Sequence, residues 1–370
     1  MHLFKFTHPT KTNLTHGEAI NGYSSAMWIE RYRDAGEFEI EANLSSGLLD
    51  FLPQGTLISH VDTLDVCIVE DHEINDEVDE EPVVKITGRS LDAWLENRIV
   101  GINYAYGTPA APFTEYVLSA AVTWSQIVTL INAHIKDDQV ANANDSLDDT
   151  ILAFTDILGS GVAEDRTIKR GNLHERVLEL LSVDDLGLRV IRKHPSHALA
   201  SPTTTRLYVH QGVDRSNSVL FSANAGDIDS AQYLWSLRKK KNAALVQGRY
   251  VETVVTSTEA GYDRRWMFVD ASDIDGSLTT APTGGTLTSI RTKMQRRGRD
   301  ALRKQTDVNI AQVDISRNIQ VQYRKDYDIG DIVTVDGKYG ISEKRRVVEY
   351  VEIEDQNGVS GHPTLARLGE

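Results

Sequence analysis

Residues able to do chemistry are plentiful in this chain, but few stand at the spacings that chemistry demands. His194-Pro195-Ser196-His197 places two imidazoles three residues apart. Pro195 and Pro202 make the stretch a loop, and no cysteine or carboxylate cluster beside it completes a tetrahedral metal site. Asp270-Ala271-Ser272-Asp273-Ile274-Asp275-Gly276 has the texture of a calcium loop. With Gly276 set at the invariant glycine, Ala271 and Pro282 fall at the first and last ligand positions, where an EF-hand needs carboxylates. A solvated turn is the better reading, with a looser calcium site as the weaker alternative. Gly159-Ser160-Gly161 and Gly284-Gly285 lack the Gly-Lys-Ser/Thr flank of a phosphate loop. No nucleophile elbow, zinc-protease helix or kinase signature occurs. The many Glu and Asp residues read as solvated strand faces, with no pair singled out for acid–base work. The expectation is a protein that is not an enzyme, with no cofactor and no metal.

The strongest local charge signal is cationic. Arg291, Lys293, Arg296, Arg297, Arg299, Arg303 and Lys304 fall in a helical stretch over residues 289–305. Such a helix can touch DNA, touch an acidic neighbouring subunit, or pair its arginines with the acidic body of its own chain. The subunit or intrachain role ranks first, because the surrounding sequence is acidic and supplies the partners. Arg291, Arg296, Arg297, Arg299 and Arg303 are therefore the candidate interface residues. Lys239-Lys240-Lys241 reads as an exposed corner.

Composition narrows the class. The chain has 370 residues, 40% hydrophobic and 25% charged, with a formal net charge of −15 and a pI near 5.2. That balance argues against general nucleic-acid binding, which needs excess Lys and Arg against phosphate. It suits a wall that DNA passes without sticking. Cys67 is the single cysteine, so no intrachain disulfide forms, and its place in Val66-Cys67-Ile68-Val69 suggests a buried, inert thiol. The N-terminus is not a signal peptide and no apolar run reaches the length of a membrane span, so stable membrane insertion is not expected.

The elements read as mainly β. Glu37-Phe38-Glu39-Ile40-Glu41 alternates as a half-buried strand does, and β stretches follow at residues 55–60, 65–74 and 83–86. Ser90 is placed to cap a short helix over residues 91–97. Helices are expected over residues 113–121, 125–135 and 173–181, the last capped by Asn172 with Glu175 three residues on. Strands are expected at residues 188–191, 206–210, from 228 to 255, and again from 308 onward.

The two ends share a texture, and a repeat accounts for it. Gly55-Thr56-Leu57-Ile58 corresponds to Gly330-Asp331-Ile332-Val333. Ile68-Val69-Glu70-Asp71-His72-Glu73-Ile74 corresponds to Val347-Val348-Glu349-Tyr350-Val351-Glu352-Ile353. Pro82-Val83-Val84-Lys85-Ile86-Thr87-Gly88 corresponds to Pro363-Thr364-Leu365-Ala366-Arg367-Leu368-Gly369. Trp28-Ile29-Glu30-Arg31 and Trp235-Ser236-Leu237-Arg238 form a fourth pair, which makes the second copy split by an insertion. The expected fold is α+β, mainly β, with two related small antiparallel β-barrels and inserted α/β segments. Its parts are residues 1–105, the first barrel; 106–227, an inserted α+β domain; 228–256 with 306–370, the second, split barrel; and 257–305, the insertion with the basic helix.

Residues 28–42 with their Arg-Asp-Ala-Gly turn, Ile86-Thr87-Gly88-Arg89-Ser90-Leu91, residues 241–248, and Tyr327-Asp328-Ile329-Gly330-Asp331-Ile332-Val333-Thr334-Val335 carry a resemblance. Through them the chain resembles the baseplate-hub-like minor tail proteins of long-tailed, non-contractile phages infecting actinobacteria. The resemblance implies a homotrimer in which three copies, giving two barrels each, build a pseudo-six-fold ring at the tail tip. It implies a place in the virion after synthesis in the host cytoplasm. The implied partners are further copies of the chain, the distal tail protein, the tape measure protein and other tip proteins, with DNA met only in transit. Some hubs carry a fused lysozyme or peptidase; with the second barrel reaching Glu370, none is expected here. A cell-wall hydrolase and a receptor- or carbohydrate-binding tail module are the alternative functions.

Overall fold

The computed structural model describes residues 3–7, 15–77, 81–100, 115–135, 152–154, 164–192, 205–236, 240–256, 261–275, 278–303, 308–316 and 321–368. The chain divides into two compact units. One holds residues 1–219, 317–333 and 346–365; the other holds 220–316, 334–345 and 366–370. The fold is α+β with strand predominating.

The first unit opens with β1 (Leu3–Thr7), β2 (Thr15–Ala19), β3 (Ser25–Arg31), β4 (Glu37–Asn43), α1 (Leu48–Phe51), β5 (Leu57–His60), β6 (Val66–Asn75) and β7 (Val83–Ser90). These strands pair antiparallel in the order β3-β4-β7-β6-β5-β1-β2. The alternation seen in the sequence is the cause. In β3 and β4 every second residue is buried, so Ala26, Trp28, Phe38 and Ile40 share one face with Val84 and Ile86 of β7. Trp28 stacks on Phe38 at a centroid distance of 6.1 Å. On the other face Glu, Lys and Arg meet solvent.

The middle of the unit contains β8 (Ile99–Val100), β9 (Glu115–Ala121), α2 (Thr123–Ile135), β10 (Leu152–Phe154), β11 (Glu164–Lys169), β12 (Gly171–Asn172), α3 (Leu173–Val183), β13 (Gly187–Ile191) and β14 (Thr205–His210). The apolar stripe Ile127, Leu130, Ile131 and Ile135 of α2 is fully buried with Leu173, Val177 and Leu181 of α3. Asn172 caps α3, its side-chain oxygen accepting from the His174 and Glu175 N–H groups at 2.9 and 3.4 Å. Two local expectations fail. Residues 115–121 form strand β9, not a helix, and pair with β11. Tyr116, Val117, Leu118 and Ser119 alternate in burial, and that period-2 pattern outweighs the helix-favouring alanines. Residues 91–97 form a 3₁₀ helix, and Ser90 gives it no side-chain cap. The Ser90 hydroxyl instead accepts from the Gly36 N–H at 2.8 Å and donates to Asp92.

The second unit contains β15 (Leu220–Ser222), β16 (Ile228–Ser236), β17 (Ala243–Gln247), β18 (Glu252–Thr256), β19 (Trp266–Asp270), α4 (Ser272–Asp275), α5 (Gly284–Arg303) and β20 (Val308–Ile315). β16 pairs antiparallel with β20, with the segment from β17 to α5 inserted between them in sequence. β17 lies between β18, antiparallel, and β19, parallel. The chain closes with β21 (Ile332–Asp336), β22 (Ser342–Asp355) and β23 (Gly358–Arg367), and β22 pairs with both β21 and β23.

The repeat has a backbone counterpart. β5-β6-β7 and β21-β22-β23 are each three consecutive strands bonded to the next. Ahead of each triplet stands the same turn: the Thr56 N–H donates to the Pro53 carbonyl, and the Asp331 N–H to the Asp328 carbonyl, both at 3.1 Å. The Gly55 N–H then donates to the Val69 carbonyl, as the Gly330 N–H does to the Val347 carbonyl, both at 2.8 Å. The return bonds, Val69 to Thr56 and Val347 to Asp331, are both 2.9 Å. Val69, one residue beyond Ile68, is thus the counterpart of Val347. A bulge between Val69 and Asp71 accounts for the offset, since it restores the facing of the residues beyond it. Among the described residues the strand path is open-ended.

Candidate assembly site

The sequence-selected arginines lie on α5, in the second unit. The helix buries Ile290 and Met294 against Ala244, Val246 and Val269. Gly298 is required at the contact, because a Cβ there would press into Val246 and Val255. These packed residues fix which way the charges point. Arg291 and Arg299 are exposed, while Arg296 and Arg297 are half-buried. Arg297 donates to the Asp270 carbonyl at 3.3 Å, and Arg299 to the Gln295 carbonyl at 3.3 Å. Arg303 is the last residue of α5; its side chain lies outside the described residues. The arginines therefore do not act as one patch: part of the set seals the helix onto its own sheet, and part faces solvent.

The calcium-like stretch has a structural task. Asp275 is fully buried, and its carboxylate accepts from the N–H groups of Arg249, Tyr250 and Val251 at 2.6, 2.7 and 3.0 Å. It latches the turn between β17 and β18. Among the described residues no group of His, Cys, Asp and Glu is arranged to hold a metal. His194, His197 and Gly159-Ser160-Gly161 lie outside the described residues. Cys67 is buried, and burial pushes its thiol well up, with Asp65 and Asp92 adding to the effect. That is the environment of an inert thiol.

Within the first unit the structure assembles a charge network that the sequence did not single out. Glu30 of β3 lies on the same face as Ala26 and Trp28 and is 2% exposed. It meets Arg189 of β13 at 2.5 Å and Arg324 at 2.6 Å. Arg189 also grips Asp65 through Nε and Nη2, at 3.0 and 2.7 Å. Arg324 reaches Glu352 of β22 at 3.1 Å, and Glu352 lies 3.6 Å from His60. Burial pushes the Glu30 and Asp65 carboxyls up, against the pull of the arginines. Burial works the opposite way on Arg189, but Asp65 and Glu30 outweigh it and hold the guanidinium well above its ordinary value. A second knot joins Arg346 to Asp185, to the Gly330 carbonyl and, at 3.4 Å, to the Tyr32 hydroxyl. Tyr32 itself donates to the Asp185 carbonyl at 2.7 Å, and burial pushes its phenol up to about 12.

A void of about 10 Å³ lies beside this network, lined by Asp65, Asp92, Ser90 and Arg189 among others, which is room for about one water. These carboxylates thus tie strands together. The exposed face of the same sheet has a shallow dish of about 240 Å³ lined by Glu37, Glu39, Glu70 and Arg89. Its three glutamates are matched by cations: Glu37 by Arg31, Glu39 by Lys85 and Glu70 by Arg89, at 2.6 to 2.8 Å. One signal could have disclosed the network. Glu30 and Arg189 are single charges on otherwise apolar strand faces, and a buried charge calls for a partner.

The architecture is one found in phage tail proteins. A 43 kDa tail protein of prophage MuSo2 from Shewanella oneidensis superposes with a TM-score of 0.58 at 13% identity, covering 100% of this chain and 98% of that one. A tail protein from Neisseria meningitidis MC58 gives 0.57 at 10% identity, covering 100% and 97%. Prophage tail protein gp18 from Listeria monocytogenes EGD-e gives 0.55 at 12% identity, covering 99% and 94%. No curated protein matches in sequence. A family profile described as Siphovirus ReqiPepy6 Gp37-like protein matches residues 11–365, so the chain belongs to that siphovirus family. Among the described residues no helix is long and apolar enough to cross a membrane.

Proposed function

We propose that this chain is a structural hub subunit of the phage tail tip, in which three copies close a pseudo-six-fold ring at the end of the tail tube. The observation that carries the reading is the shared hydrogen-bond pattern of the two strand triplets, from Pro53 to Val69 and from Asp328 to Val347. A chain with two related β units, the small barrels of residues 1–105 and of 228–256 with 306–370, can present six similar faces from three copies. Repetition about a three-fold axis closes such a ring without open-ended growth. Family membership and the tail-protein fold support the same reading. The partners are further copies of the chain, the distal tail protein, the tape measure protein and other tip proteins, and its place is the virion. DNA passes in transit, and a net charge of −15 keeps such a passage from holding phosphates.

The reading assigns no catalysis to the chain. Counting copies per purified particle against the six-fold tube protein tests it: three are expected, whereas one or six contradict a trimeric hub. Purified protein is expected to leave host cell wall intact in a muralytic assay. Saturable binding of the isolated chain to host cells would favour the receptor-binding alternative.

A further inference from the structure

The three-stranded sheet of the second unit is covered on one side by α5 and open on the other. The register fixes what lies on the open side. Leu245 of β17 is level with Val254 of β18 and Phe268 of β19; Gln247 is level with Glu252 and Asp270; Ala243, level with Thr256 and Trp266, is itself buried. Val254, Trp266 and Phe268 are 47%, 51% and 61% exposed. An uncovered aromatic and aliphatic face with two carboxylates along one end is the pattern of a contact surface rather than of scattered surface apolar residues. Aliphatic Leu245 and Val254 extend the face beyond the two rings of β19 and favour a protein partner over a sugar, which stacks on aromatic rings alone.

We infer that this open face docks the α5 helix of a second copy of the chain, a contact that rests on the hub reading above and names the surface used. Helix and face are complementary in charge and dimension. α5 carries six cations and one carboxylate over its twenty residues. Arg291, Gln295 and Arg299 are exposed at i, i+4 and i+8, a line about 12 Å long on one side of the helix. Three five-residue strands make the open face roughly 15 Å in each direction. Guanidiniums of that line can stack on Trp266 and Phe268 while meeting Glu252 at the rim. Because the helix and the open face lie on opposite sides of one sheet, the contact is head-to-tail, which is compatible with a three-fold ring when successive copies turn by a third of a circle. The face offers on the order of 220 Å², well below the roughly 800 Å² per partner of a stable free complex. The contact therefore forms in the assembled tail and not in dilute solution.

Cross-linking in assembled tails tests this. Phe268→Cys together with Gln295→Cys, treated with a short bismaleimide, is expected to give dimer and trimer bands; neither single variant is, since Cys67 is buried. Arg291→Glu with Arg299→Glu is expected to abolish those bands and lower the yield of infectious particles at least tenfold. Adding Glu252→Lys is expected to restore part of both, a rescue that a folding defect would not show. Tails holding three copies but no cross-link would overturn this surface and leave the hub reading standing. Tails with another copy number would overturn the hub reading itself. Binding of the chain to cell-wall glycan that Trp266→Ala removes, with no cross-link, would assign the face to sugar instead.

Discussion

Gly55 and Gly330 occupy the same place in two copies of one turn, with φ of +82° and +89°. Around Gly55 an added Cβ would meet nothing within 4 Å, whereas at Gly330 it would overlap the Tyr32 ring. The strands that follow differ in the same way. From Glu70 onward β6 is mostly exposed, and Arg89 pairs there with Glu70 and Glu96 near the surface. β22 is half-buried from Val348 to Glu354, and its Glu352 feeds the network of Arg324, Glu30 and Arg189. One backbone plan thus serves two electrostatic settings. The plan is held by glycine and by main-chain bonds, while the side chains have been free to diverge.

The sharpest way to break that contrast is to remove its central cation. Arg189→Ala leaves Glu30 and Asp65 short of a buried partner and is expected to cost about 3–5 kcal/mol by chemical denaturation. Arg89→Ala, in the partly exposed setting of the first triplet, is expected to cost about 1 kcal/mol or less, because solvent screens the pair. Equal losses would mean that the two settings do not differ.

Asp92 is the buried carboxyl just beyond the first triplet, and burial pushes it up to about 6 from an ordinary 3.8. Between those values the folded chain binds a proton that the unfolded chain has released. This group's contribution to stability therefore falls as pH rises from 4 to 6 and stays low above, by an amount on the order of 3 kcal/mol. Asp92→Asn, which cannot ionise, is expected to flatten that part of the stability–pH curve. An unchanged slope would show that Asp92 is already ionised in the folded chain at low pH.

The turn glycines give a smaller difference. Gly55→Ala is expected to cost about 1–2 kcal/mol, the penalty of a left-handed backbone with a Cβ. Gly330→Ala is expected to cost that plus about 1–3 kcal/mol for overpacking against Tyr32. Asn172→Ala, which removes the α3 cap, is expected to lower stability by about 1 kcal/mol. Thermal unfolding of the three variants ranks them.

What the sequence disclosed was whatever acts on the neighbouring backbone. The alternation in Glu37-Phe38-Glu39-Ile40-Glu41, the Asn172 cap, the apolar stripe of α2 and the glycine-led repeat are all local patterns with local causes. The pairings of the buried network were not legible, even though lone charges on apolar strands hinted at it, because Arg189 finds Glu30 159 residues away and Asp65 124 residues away. No spacing rule connects them. β9 was misread because its alternation spans only a few residues among alanines that favour helix. The α5 arginines were found as a set, but which of them face solvent depended on Ile290, Met294 and Gly298 seating the helix. The one-residue offset between Ile68 and Val69 came from a bulge, which leaves little mark in composition.

In the proposed hub, two related strand triplets in one chain, repeated by a three-fold axis, match a six-fold tube. Imaging the intact particle tip to a resolution that resolves strands tests it most directly. Three copies are expected around a central axis, with the β5-β6-β7 and β21-β22-β23 triplets alternating as six similar faces. One copy on the axis, six copies, or a position out on a side fibre would contradict it.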